Sequence, residues 1–125
     1  MIVDTNALSA FADGSPLALA ALKKADEVGI PVIVLGEFGY GIAHSKRRRE
    51  YEAWLDRYLP TFCILEVTAD TAVEYSLLHS ELRRLGRLIP ANDVWIVALC
   101  RQYQLPLLSR DQHFDSVKAL RRQTW

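Results

Sequence analysis

Four short, largely apolar runs recur along this chain: MIV (residues 1–3), IPVIV (30–34), FCILEV (62–67) and LPLLS (105–109). Longer stretches with helical signals separate them, and that alternation constrains the fold more than any other feature. A run of three to six residues suits a strand and is too short for an independent helix. Parallel strands need a crossover of a dozen or more residues, which is what the intervals provide. The pattern therefore predicts an α/β fold in which helices cover a mostly parallel sheet of four to five strands.

Punctuation residues divide the intervals. The first strand is expected over Met1 to Asp4. Ser15 followed by Pro16 is a helix start, and Gly29 is the expected end of that helix. A second helical region runs from near Leu35 to Leu59 with a break near the basic run at 46–49, and Tyr51, Trp54, Leu55 and Tyr58 within it share helical spacing expected of a core face. Thr68 can cap a long helix that reaches Gly86. Periodicity alone leaves residues 92–103 open between strand and helix; their length, the cap chemistry of Asn92 and Asp93, and the lack of a turn signal favour helix. The tail is expected to add a short helix around 116–120 and an edge strand near Trp125.

A chain of 125 residues with 14.2 kDa of mass predicts a single domain, 1–125. Fifteen basic and fifteen acidic residues cancel, so composition alone points to no nucleic-acid or membrane partner. The longest uninterrupted apolar run, Val94 to Cys100, is far below the roughly 20 residues that span a bilayer. The N-terminus lacks the basic flank and apolar stretch of a secretory signal, which gives a cytoplasmic expectation. Cys63 and Cys100 each sit in an apolar run and are expected to be reduced core residues.

In a parallel sheet, strand ends and helix starts share one edge, and open α/β sheets bind ligands there. Asp4 ends the first run, Glu37 follows the second, Asp93 opens the helix before the fourth, and Asp111 follows the fourth. Four carboxylates on one edge raise one another's pKa unless a cation intervenes. Hard oxygen donors suit magnesium or manganese. An ion held by Asp4, Asp93 and Asp111 could polarise a phosphoryl oxygen and acidify a bound water, the chemistry of phosphodiester hydrolysis. Simpler roles exist for each acid taken singly: an Asx turn at Asp4, a solvent-facing helix position at Glu37, a helix cap at Asp93 and a turn at Asp111. His44, His79 and His113 are far apart in sequence and are expected to be surface or hydrogen-bonding residues.

The segments MIVDTNALSAF, VLGEFGYG, PANDVWIVALC and LLSRDQHFD, taken together and in this order, resemble the PIN domain, and in particular the VapC-type toxins of bacterial and archaeal toxin–antitoxin pairs. The resemblance covers essentially the whole chain. It implies a three-layer α/β/α fold and a magnesium- or manganese-dependent endoribonuclease. In it Asp4, Asp93 and Asp111 hold the metal, Glu37 completes the site, Thr5, Asn6 and Ser109 support the acids, and Asp115 adds a further supporting or weak metal group. It also implies a homodimer, a cognate VapB-type antitoxin lying across the active-site groove, and an RNA substrate, commonly a tRNA or ribosomal RNA. Lys46, Arg47, Arg48, Arg49 and Arg110 are the basic candidates for RNA contact, although a charge run is also simply a solvated face. Gly36, Gly39 and Gly41 around Glu37 each weaken a helix, which is consistent with close approach of RNA or another backbone, with tight packing on the sheet, or with a bend. A dehalogenase-like phosphatase would need a second acid at position 6, where Asn6 stands, and a phosphoacceptor domain would need an Asp after the third strand. The remaining alternative is a PIN fold that binds RNA or protein without cutting.

Overall fold

In the computed structural model, which describes residues 1–125, five parallel strands form one sheet in the order β3-β2-β1-β4-β5. The strands are β1 (Ile2–Val3), β2 (Gly29–Pro31), β3 (Cys63–Leu65), β4 (Leu107–Leu108) and β5 (Arg122–Gln123). Helices α1 (Thr5–Ala12) and α2 (Pro16–Lys23) join β1 to β2, while α3 (Val32–Ala43) and α4 (Arg48–Tyr58) join β2 to β3. The long helices α5 (Ala69–Arg84) and α6 (Ala91–Tyr103) then carry the chain across to β4, on the far side of β1. The sheet order therefore reverses between β1 and β4. Their outgoing connections diverge there and leave a crevice at the carboxyl ends of the strands.

Burial explains why such short strands hold. Ile2, Val3, Ile30, Leu107 and Leu108 are all fully buried, and they pack with Leu8, Phe11, Leu78, Leu82, Ile96 and Leu99 from the covering helices in one core. Each such side chain contributes about 1.5–3 kcal/mol by leaving water. No helix is long and apolar enough to cross a membrane.

Several boundaries differ from those expected of the sequence. Asp4 does not extend β1; it caps α1, a helix the sequence reading omitted although Ala7, Leu8 and Phe11 supply its buried face. Helix α2 stops at Lys23, short of Gly29, because residues 25–28 turn the chain into β2. Gly29 instead opens that strand, where a Cβ would sit 2.7 Å from Leu65 Cδ1, so glycine is required by close approach to β3. The second strand ends at Pro31 rather than at residue 34. Val32, Ile33 and Val34 have strand-like side chains but form the first turn of α3, where Val34 is wholly buried. Strands β3 and β4 are likewise shorter than residues 62–67 and 105–109, and the short 3₁₀ turn lies at Gln112–Ser116 instead of 116–120. The final strand falls at 122–123, just before Trp125. Cys100 is buried and its thiol is pushed up to about 12 by burial, but Cys63, at the start of β3, is exposed rather than in the core.

Other expectations hold. Helices α3 and α4 are separated by the break at residues 44–47, Thr68 caps α5 through a reciprocal bond with Thr71, Gly86 takes a left-handed φ of 65° just past α5, and residues 91–103 are helical. Tyr51, Trp54 and Leu55 pack against the core from α4, but Tyr58, expected on the same face, is 39% exposed and meets only Trp54 among the aromatics.

The glycines of α3 are not crowded within the chain. A Cβ at Gly36, Gly39 or Gly41 would meet no atom within 4 Å, so tight packing on the sheet is not the reason for them. Gly41→Ala should therefore raise the unfolding free energy by about 0.5–1 kcal/mol, the ordinary helix-propensity difference, in urea denaturation. A loss of stability would show that the position is crowded after all.

Candidate metal centre

Asp4 stands where β1 hands over to α1, directly beside the end of β4. Only 4% exposed, its carboxylate accepts three hydrogen bonds. Oδ1 accepts the Ala7 amide at 3.1 Å, which caps α1. Oδ2 accepts the Asn6 side-chain amide at 2.9 Å and the Ser109 hydroxyl, while Asn6 Nδ2 also lies 3.5 Å from Ser109 Oγ. Ser109, fully buried at the end of β4, accepts the Asp111 amide at 2.9 Å, and Asn6 Oδ1 accepts the Arg110 amide at 3.1 Å. Asn6 and Ser109 thus lace the ends of β1 and β4 together around one buried carboxylate. Asp4 is both a helix cap and a site group.

The other three acids arrive from separate elements. Asp93 lies in the first turn of α6, but Pro90 occupies the cap position and no side chain caps that helix, so neither Asn92 nor Asp93 plays the expected capping role. Asp111 follows β4 and caps the Gln112–Ser116 turn by accepting the His113 amide at 3.1 Å. Glu37 sits in the second turn of α3, further into the helix than its sequence spacing from the second run suggests. Its Oε1 is buried without a hydrogen-bond partner, as is Thr5 Oγ1. A solvent-facing role for Glu37 is therefore incorrect.

All four acids line one crevice of about 610 Å³, together with Thr5, Asn6, Asp13, Arg110 and Trp125. Crowding shows in their protonation. Burial, and then the charges of Asp93 and Asp111, push Asp4 up to about 6 against the stabilising bonds from Ser109 and Ala7. Glu37 is raised by burial and by Asp93, with the neighbouring Thr5 hydroxyl opposing. Asp93 is raised by burial and by Asp111, with His113 opposing. A buried carboxylate oxygen lacking a donor costs free energy that a cation or a proton removes. Oxygen donors of this kind, one of them unpartnered, fit a hard divalent ion.

The remaining candidates lie in different surroundings. Asp115 is outside the crevice, in a two-pronged pair with Arg122 at 2.7 and 2.8 Å that holds its carboxyl below the ordinary range. Arg122 in turn donates to the Ser109 carbonyl at 3.0 Å, so Asp115 reaches the site only through that arginine. Arg47 pairs with Glu50 at 3.0 Å and lies near Asp13, and Arg48 pairs with Glu52 at 2.7 Å, whereas Lys46 and Arg49 form no ion pair. Arg110 is at the rim of the crevice, its guanidinium 4.6 Å from the Trp125 ring centre. One residue was missed by the sequence reading: His113 places a ring nitrogen 2.9 Å from Asp93 Oδ2 and the other 3.0 Å from Asp111 Oδ1. Its spacing of two from Asp111 was the available signal.

Residues 1–120 match the PIN domain family. The chain belongs to that family. The Ribonuclease VapC2 of Rickettsia felis is 31% identical to this PIN domain over 101 residues, covering 78% of this chain and 75% of the relative. The Ribonuclease VapC2 of Haemophilus influenzae strain Rd is 28% identical over 127 residues, covering 99% and 96% of the two chains. Among solved structures, that of VapBC2 from Rickettsia felis bound to a DNA fragment from their promoter superposes with a TM-score of 0.86 at 26% identity, covering 99% of this chain and 97% of the other. The expected three-layer PIN fold with its parallel sheet is thus the fold observed.

The raised Asp4 carboxyl makes a pH-dependent prediction for this PIN domain in chelator. Below about pH 4 Asp4 is protonated both folded and unfolded and contributes nothing. Between its ordinary value of 3.8 and about 6 the unfolded chain ionises first, so stability falls as pH rises. Above that window the full cost is about 3 kcal/mol. Asp4→Asn removes the charge but sets an Nδ2 donor against the Asn6 amide, a cost that does not change with pH. Its stability relative to the parent protein should therefore rise by about 3 kcal/mol from pH 3 to pH 7.5 in a denaturation series; a difference independent of pH would contradict the assignment.

Proposed function

We propose that this PIN domain is a metal-dependent endoribonuclease, the toxin of a toxin–antitoxin pair, which hydrolyses RNA phosphodiester bonds and is inhibited by a cognate VapB-type antitoxin. One observation carries the reading: Asp4, Glu37, Asp93 and Asp111 converge in a single crevice at the reversal point of the sheet, with a carboxylate oxygen of Glu37 buried and unpartnered. Relatives named as ribonucleases and a close structural neighbour described as a VapBC assembly support the same activity and partner.

Asp4, Asp93 and Asp111 are the ligands, and Glu37 orients the attacking water or a second ion. A bound Mg²⁺ or Mn²⁺ supplies charge neutralisation at the phosphoryl oxygens and a more acidic water. Asn6 and Ser109 hold Asp4 in place through its Oδ2, and Thr5 lies beside Glu37. The nucleophile is water, with no covalent enzyme intermediate. Ser109 is fully buried and committed to Asp4 and Asp111, and Cys100 is in the core with its thiol held protonated, so neither is available as a protein nucleophile.

The substrate class is tRNA or ribosomal RNA. Lys46, Arg49 and Arg110 are the cations best placed for phosphates, since Arg47 and Arg48 are already paired with acids. The active form is a homodimer. Val73 and Leu77, one turn apart on α5 and 58% and 60% exposed, and Tyr40 on α3 at 74%, are apolar surfaces such an assembly would cover.

Mapping new 5′ ends in total cellular RNA incubated with the purified, antitoxin-free protein tests the reading. Discrete cuts are expected with magnesium or manganese, none in chelator, and none with Asp93→Asn despite cooperative unfolding. Cuts that persist with Asp93→Asn would refute the site. Bound but uncut RNA would favour a PIN fold that binds without cleaving.

A further inference from the structure

His113 stands between two of the proposed metal ligands. Its Nε2 lies 2.9 Å from Asp93 Oδ2, and its Nδ1 lies 3.0 Å from Asp111 Oδ1. The two acids come from different parts of the fold, the first turn of α6 and the turn after β4, so no single backbone segment sets their separation. The imidazole lies between them. The ring is held at its base: the His113 amide donates to Asp111 Oδ1 at 3.1 Å, and the next residue, Phe114, is anchored in the core at 1% exposure. The side chain itself is 44% exposed.

We propose that His113 is the placeholder of the metal site: its ring spans Asp93 and Asp111 while no ion is bound and swings off them to admit one. This rests on the metal-site reading given above. Three geometric points support displacement over direct ligation. The ring nitrogens address carboxylates on both sides, so neither is turned toward a common centre. The ring stands between the two carboxylates, 2.9 Å from one and 3.0 Å from the other, in the space that an ion shared by them would take. Imidazole also suits softer metals than the hard ion favoured by a carboxylate set. With 44% of its side chain already in solvent, the ring can leave without opening the core.

His113 is a positioning residue in this account, and its signature is in metal affinity as well as cleavage. The test is calorimetric titration of Mn²⁺ into the metal-free full chain at one fixed pH, for the parent protein, His113→Ala and His113→Asn. Asn is too short to span both acids, and it serves if the alanine variant folds poorly. Both variants are expected to bind Mn²⁺ about tenfold more tightly than the parent, the equivalent of one charge-assisted hydrogen bond no longer broken. Weaker binding would make His113 a ligand or an organiser of the site and overturn the proposal, and so would unchanged binding. Either of those results leaves the metal site itself standing. Absence of Mn²⁺ binding in the parent and both variants would overturn the metal site and this inference together.

Discussion

Everything distinctive about this molecule depends on the side-by-side placement of β1 and β4. Ile2 pairs with Leu107 and Val3 with Leu108, and all four are buried without remainder. That short, deeply buried ladder fixes the ends of both strands at the point where the sheet order reverses. Asp4 follows one strand and Ser109 the other, and the hydrogen bonds among Asp4, Asn6 and Ser109 are possible only because the ladder holds them in register. Apolar burial is therefore what keeps a carboxylate in a place where its own solvation would not.

The consequence is a stored electrostatic cost. Asp4 is buried beside Asp93 and Asp111, Glu37 is half-buried beside Asp93, and the backbone alone does not relieve the crowding. Hydrogen bonds from Ser109 and Ala7 offset part of it for Asp4, and the His113 ring does so for Asp93. Glu37 has no such partner for one of its oxygens. Four acids retained under these terms fit the proposed cation, and the proposed ribonuclease chemistry follows from what a hard ion does to a phosphodiester and a water.

The spacing of acids relative to apolar runs was legible in the sequence because it depends on topology. Parallel strands send their ends to one edge whatever the details of packing. Helix starts with strong local chemistry were also legible, as at Ser15–Pro16 and Thr68. Boundaries decided by tertiary contact were not. Val32 and Ile33 look like strand residues and are helical because Pro31 ends the pairing and Val34 is drawn into the core. Gly29 resembles a helix stop, yet its role is to let Leu65 approach within a distance no side chain tolerates. Helix α1 was not legible because it follows the first apolar run with no glycine or proline between them, and Asp4 serves both as the strand's end and as the helix cap. His113 was invisible for another reason: its two partners are 20 and 2 residues away, and only the fold brings Asp93 to it.

The most direct test of the central claim, that the four acids form one cation site, is anomalous diffraction from crystals of the purified protein soaked in Mn²⁺. The account predicts a manganese peak within coordination distance of carboxylate oxygens of Asp4, Asp93 and Asp111, about 2.0–2.3 Å away. A manganese peak bound elsewhere on the surface, with Asp4 still enclosed by Asn6 and Ser109 and no density among the acids, would contradict it.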